Sequence, residues 1–123
     1  MTISANITEP ALLIRISQMY SPQLSAEALY EATRGVWVIG SRRSNVVFAF
    51  AVADGIVREV YEILSWHPAG TTPYKTRPTQ DVSINGRWEF VGKVASKIIR
   101  EKYIDCTVAH YFKKGAVNPI MYV

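Results

Sequence analysis

Asp54-Gly55 constrains this chain more than any other pair of residues. It stands between two runs rich in β-branched and aromatic residues, Val46 to Ala53 and Ile56 to Leu64. Both central residues of a type I′ turn need positive φ, and Asp followed by Gly tolerates it, so the stretch reads as a β-hairpin. A two-residue turn sets Phe48 opposite Tyr61 and Val52 opposite Val57 on one face. Ala49, Ala51 and Ala53 line the other, where a second backbone could lie close. A three-residue turn with a bulge would shift every pair by one.

The elements around the hairpin follow from local pattern. Ala11 to Ser17 reads as a strand buried on both faces, with Arg15 at an edge or rim. Ser25 caps a short amphipathic helix carrying Leu24, Ala28, Leu29 and Ala32 on one face and stopping at Gly35. Gly35 to Gly40 is a strand bracketed by glycines, and Ser41 to Asn45 is a polar loop. From Ser65 to Gln80 the periodicity is lost and a long loop is expected, of the kind that usually carries function. Asp81 to Ile84 and Arg87 to Val94 read as strands around an Asn85-Gly86 turn. Ser96 caps a second helix running to Lys102 with Ile98 and Ile99 inward. Cys106 to Phe112 and Pro119 to Val123 close the chain as strands. Six or seven strands against two short helices make an α+β domain that is mainly β, a small curled sheet or barrel spanning 1–123 as a single domain.

Composition narrows the function classes. At 123 residues, 49% hydrophobic and 20% charged, the chain is a globular domain able to bury a core without staples. One cysteine, Cys106, excludes an internal disulfide and points to a reducing, cytoplasmic setting, with the thiol as core filler. The first residues show neither a signal peptide nor a membrane span. The net charge of +4 is carried mostly after residue 40, a balance that permits contact with phosphates. Exposed sheet edges would also suit a homodimer.

No phosphate loop, metalloprotease helix, Cys-x-x-Cys or nucleophile elbow is present, and no spacing supports a metal site. No cofactor is implied and no catalytic residue is assigned. Trp37, Trp66 and Trp88 each lie beside a cation or a turn, a pattern suited to stacking a base, although core packing is the plainer role for Trp37 and Trp88. The candidate binding set is Arg34, Trp37, Arg42, Arg43, Trp66, His67, Tyr74, Lys75 and Arg77: aromatic faces for a base, and cations to track phosphate. The expected activity is non-catalytic binding of RNA, or of a modified or flipped DNA base. Two alternatives stand beside it. One is a small-molecule or protein-binding domain with an apolar pocket. The other is a metal-independent ribonuclease using His110 or His67 as base and Tyr111 or Tyr74 as acid.

Leu29-Tyr30-Glu31-Ala32-Thr33-Arg34-Gly35-Val36-Trp37 with Gly40 and Arg42-Arg43, and Tyr103-Ile104 followed by Val108, Tyr111 to Ala116 and Asn118-Pro119-Ile120, resemble a family of uncharacterised bacterial proteins. That family occurs as small open reading frames and as appended modules. Its pattern has glycine-lysine at Asp105-Cys106 and glutamine at Val117, so the last loop departs from it. The order of elements is also similar to the PUA-like group of small barrels, including ASCH and EVE domains, which implies a cleft for RNA or a modified base.

Overall fold

Asp54 and Gly55 both take positive φ, 55° and 75°, and close the expected hairpin. The computed structural model describes residues 3–115 and 117–123; Ala116, part of the motif quoted above, lies outside the described residues with Met1 and Thr2. In chain order the elements are β1 (Ala11–Arg15), α1 (Ala26–Arg34), β2 (Gly35–Trp37), β3 (Phe48–Ala53), β4 (Ile56–Pro68), α2 (Thr79–Val82), β5 (Trp88–Val94), α3 (Lys97–Tyr103) and β6 (Ile120–Tyr122). Short 3-10 turns occupy Ser41–Asn45 and Ala109–Tyr111.

The strands form one sheet in the order β2-β5-β4-β3-β1-β6, parallel only between β1 and β3. A flat sheet of six strands would hold its edges roughly 24 Å apart, at about 4.8 Å per spacing. Here the guanidinium carbon of Arg42, just beyond β2, lies 4.3 Å from the ring centroid of Tyr122 in β6. The sheet therefore curls into a half-barrel, and its two edge strands face each other across an open seam. The fold is thus α+β and mainly sheet, as expected, with a third short helix.

Each face carries its own core. Phe50, Val52, Val57 and Val60 pack with Tyr103, Ile99, Val108 and the N-terminal segment on one side. On the other, Ala49 and Ala51 lie with Tyr61, Phe90, Leu12 and Ile14, and Leu29 and Tyr30 of α1 pack against them. The alanine row leaves room for the helix. Ser25 caps α1 by accepting from the Ala28 N–H at 3.0 Å, and Ser96 caps α3. Arg100 of α3 holds Glu59 of β4 through two hydrogen bonds of 2.8 and 3.0 Å.

Several expectations change. Val52 pairs with Val57, but Phe48 pairs with Glu62 and Tyr61 with Ala49, because the register shifts at Arg58, the bulge residue between Val57 and Glu59. β4 runs on to Pro68, since β5 is long enough to pair with it as far as Trp88. Asp81 to Ile84 is no strand: after Pro78 the chain turns into α2, with the Ser83 N–H donating to the Thr79 carbonyl. Cys106 to Phe112 is no strand either. Thr107 makes only isolated bridges to Ser4 and Ile56 before the backbone tightens into the 3-10 turn. Ile98 is 78% exposed, because the short α3 turns Ile99 and Tyr103 to the core, and Ile98 falls off that stripe. Arg15 ends β1, which β6 flanks, and its guanidinium lies 4.5 Å from the Phe112 ring centroid.

The alanine row gives a direct test of the helix placement. Ala51→Leu should push α1 off the sheet and lower the unfolding free energy by about 1–3 kcal/mol in denaturant titration, the usual cost of overpacking. An unchanged midpoint would mean that the helix does not lie close above Ala51.

Candidate functional site

Two arrangements of polar and aromatic side chains stand out, and all the candidate residues except Trp66 and His67 divide between them. The first lies at the junction of α1 and β2. Glu31 and Arg34 are 4% and 3% exposed and Glu89 is fully buried, which is unusual for charged side chains. Residues 69–78, the strap, account for the burial. The Glu89 carboxylate accepts from the Gly70 and Thr72 N–H groups, each at 2.8 Å, and from the Thr72 hydroxyl. Glu31 accepts from the Lys75 N–H at 2.8 Å and from the Thr76 N–H and hydroxyl at 2.6 Å each.

Arg34 completes the lashing. It donates to the Phe90 carbonyl at 2.9 Å, to the Pro73 carbonyl and to the Thr72 hydroxyl, and it lies 3.9 Å from a Glu89 oxygen. The Tyr74 ring stacks on its guanidinium, 4.2 Å from the centroid. Arg77 donates to the Glu31 carbonyl at 3.0 Å and to the Gly35 carbonyl. Arg34, Tyr74 and Arg77 thus anchor the strap and line no common cleft with the tryptophans. Lys75 gives its backbone N–H to the same anchor while the residue stays exposed.

Burial raises the carboxyl pKa values of Glu31 and Glu89, but the strap hydrogen bonds outweigh it, so both sit below the ordinary value of 4.5. Burial, opposed by Arg34 and reinforced by Glu89, pushes the Tyr74 phenol up. The Tyr74 hydroxyl is buried beside the Glu89 carboxylate and makes no hydrogen bond of good geometry among the described residues.

The second arrangement is the seam. Trp37 pairs with Trp88 across β2 and β5, and its indole N–H donates to the Thr33 carbonyl at 2.8 Å, which fixes the ring. Its half-buried side chain forms one wall of an open groove of about 500 Å³, completed by Arg15, residues 16–19, Val117 and Pro119. A second groove of about 380 Å³ continues along the seam between residues 38–42 and 118–122. Among the described residues, no carboxylate lines either groove.

Arg42 and Arg43 sit at this seam on the turn after β2. Arg42 lies over the Tyr122 ring at 4.3 Å and Arg43 over the Trp88 ring at 3.5 Å. Burial raises the Tyr122 phenol pKa while Arg42 and Arg43 draw it down, so both cations act on the same ring. Arg87 donates to the Val36 carbonyl at 3.5 Å. Among the described residues, none of these three arginines has a carboxylate within ion-pair distance. Side chains also close the strand edges. Arg77 and Arg87 cap the Gly35 and Val36 carbonyls, and the Asn118 side chain accepts from the Ile120 N–H at 3.0 Å. The seam is thus lined by side chains that also take up three of its edge backbone groups.

The remaining candidates lie elsewhere. Trp66 packs edge-on against Phe90, with centroids 5.5 Å apart at 68°, inside the core face. His67 pairs with Ser65 at 2.8 Å on the opposite face of β4. His110 sits in the 3-10 turn, exposed beside the Tyr111 ring, and no hydrogen bond or ring contact joins it to His67, Tyr74 or an arginine. Among the described residues no group of three or more His, Cys, Asp and Glu is placed to hold a metal ion, and no helix is long and apolar enough to cross a membrane. Sequence reasoning overlooked Glu31, Glu89 and Tyr122. An acid in a helix or a strand looks like a surface charge until the segment that covers it is known, so only the run of strap N–H donors, far off in the chain, could have flagged the two glutamates. Searches against protein-family models, curated proteins and solved structures find no match for the chain.

The buried charges make a pH prediction. A carboxylate whose folded pKa lies below its unfolded value stabilises fully above about pH 4.5, and that contribution is lost as pH falls through the folded value. Glu9, also lowered, contributes in the same sense. Urea unfolding of wild type should therefore weaken steeply below about pH 4.5, and Glu31→Gln/Glu89→Gln should flatten that dependence. Equal slopes in the two proteins would show that the strap is not held by ionised carboxylates. At neutral pH, Glu89→Ala leaves Arg34 buried without its acid and should cost about 3–5 kcal/mol.

Proposed function

We propose that this domain is a non-catalytic nucleic-acid-binding module whose contact surface runs along the seam of the half-barrel. The observation that carries this reading is the set of three arginines, Arg42, Arg43 and Arg87, without carboxylate partners beside Trp37, Trp88 and Tyr122. A guanidinium held on an aromatic face is fixed in position yet keeps its outward N–H groups for phosphate oxygens. The half-buried Trp37 indole, locked by Thr33, is the stacking surface for a base of RNA or of single-stranded or modified DNA. Part of the same proposal is that the curled sheet is of the PUA-like kind and works in the cytoplasm, where Cys106 remains a free thiol.

A second reading rests on the groove beside Trp37, whose Ile16, Met19, Val117 and Pro119 walls would suit a small apolar ligand. Salt dependence separates the two. Binding of labelled single-stranded RNA and DNA, measured across a salt series, should weaken linearly on a log-log plot. Arg42→Ala and Arg43→Ala should each reduce the slope by about 0.7, the value per phosphate contact on a single strand. Trp37→Leu should cost about 1–3 kcal/mol of affinity at every salt concentration. Absence of binding to any nucleic acid at low salt would overturn the proposal, and salt-independent binding of an uncharged apolar probe in the groove would favour the second reading.

A further inference from the structure

The strap is unusual in what holds it. Of residues 69–78, none is fully buried and six are exposed, so it brings little apolar surface to the domain. Its attachment is nearly all polar: Gly70 and Thr72 at its start bind Glu89 of β5, and the rest of it converges on one short stretch, Glu31 to Trp37. Glu31 takes its hydrogen bonds from Lys75 and Thr76, Arg34 reaches Thr72 and Pro73, and Arg77 grips the Glu31 and Gly35 carbonyls. The same stretch ends in the Trp37 indole, whose N–H returns to Thr33. β2 is only three residues long, and its pairing with β5 is irregular between Gly35 and Trp37. A strand so short is poorly located by its own ladder.

We propose that the strap is the positioning element of the Trp37 groove, clamping the α1–β2 junction from outside so that Arg77 and Gly35 control ligand affinity through Trp37 without touching the ligand. The ligand part of this inference rests on the function proposed above. Gly35 supplies the clearance that the clamp needs. Its φ of −170° suits any residue, so the constraint is space: a Cβ there would run into the Tyr74 hydroxyl and stand 3.0 Å from the Glu89 Cβ. The hydroxyl at the point of collision is buried beside Glu89 and makes no hydrogen bond of good geometry among the described residues. Tyr74→Phe should therefore be tolerated alone and should relieve part of the damage done by Gly35→Ala.

The test uses the full chain and two readouts, hydrogen exchange over residues 33–40 and affinity for single-stranded RNA. Arg77→Ala should speed exchange there by about tenfold, as local opening becomes easier. It should weaken RNA binding about fivefold, and that loss should vanish in a Trp37→Leu background, because both changes act on one platform. Gly35→Ala should reproduce both effects, with partial rescue in Gly35→Ala/Tyr74→Phe. If Arg77→Ala does not fold, the glycine variant and its rescue carry the measurement. Unchanged exchange at 33–40 in a folded variant, or losses from Arg77→Ala and Trp37→Leu that simply add, would overturn the clamp. If Trp37→Leu binds RNA as wild type does, the binding reading fails, and the exchange data still decide the clamp on their own.

Discussion

Three ionisable side chains buried at one helix–strand junction hold together parts of the chain that have little else in common. Glu31 and Arg34 come from α1, Glu89 from β5, and their partners from a strap that belongs to neither. Taking charges out of water is costly unless hydrogen bonds replace the lost hydration. Here backbone N–H groups and threonine hydroxyls supply those bonds, so the strap cannot leave without stranding two carboxylates and a guanidinium. The arrangement couples α1, β2, β5 and residues 69–78 into a unit that stands or falls together. Apolar packing of those ten residues could not achieve that.

The curl of the sheet depends on quite different residues. Small side chains at Ala49 and Ala51 let α1 approach the sheet, while Tyr61 and Phe90 fill the space beside it. A half-barrel closed in this way leaves two edge strands, and exposed edges invite unwanted pairing. The chain answers with guanidinium and amide groups, at Gly35, Val36 and Ile120, and not with another strand. The result is a seam lined by aromatic rings and arginines, with three of its edge backbone groups taken up by side chains.

What could be read in advance was local. The Asp54-Gly55 turn, the Ser25 and Ser96 caps, the buried β1 and the role of the alanine face all depend on neighbours in sequence or on strict alternation, and all are present. The misreadings share one cause. Arg58 bulges, and nothing in a run of strand formers marks where a bulge will fall. Thr79 to Val82 is too short for periodicity to show, and Cys106 to Phe112 has strand composition but finds only bridges at Thr107. Among the site residues, Arg42, Arg43 and Trp37 are brought to one seam, whereas Arg34, Tyr74 and Arg77 are drawn into the anchor. No local pattern distinguishes an arginine that will meet a buried glutamate from one that will not.

Net charge is for the same reason a poor guide to where this domain carries cations without carboxylate partners. Arg58, Lys93, Lys97, Arg100 and Lys102 each face a carboxylate, and Arg34 is buried against Glu89. Subtracting paired charges in this way leaves Arg42, Arg43 and Arg87 around Trp88, Tyr122 and the β2 edge, and Arg77 on the backbone carbonyls of the strap anchor. Lys75 stays exposed on the strap, and Lys113 and Lys114 on the loop before β6. Pairing thus removes six cations from the count and leaves three of the remaining ones gathered at the seam. An uncompensated guanidinium repels its neighbours and is held only where something else restrains it; at this seam aromatic faces and the Gly40 and Val36 carbonyls provide that restraint in place of a carboxylate.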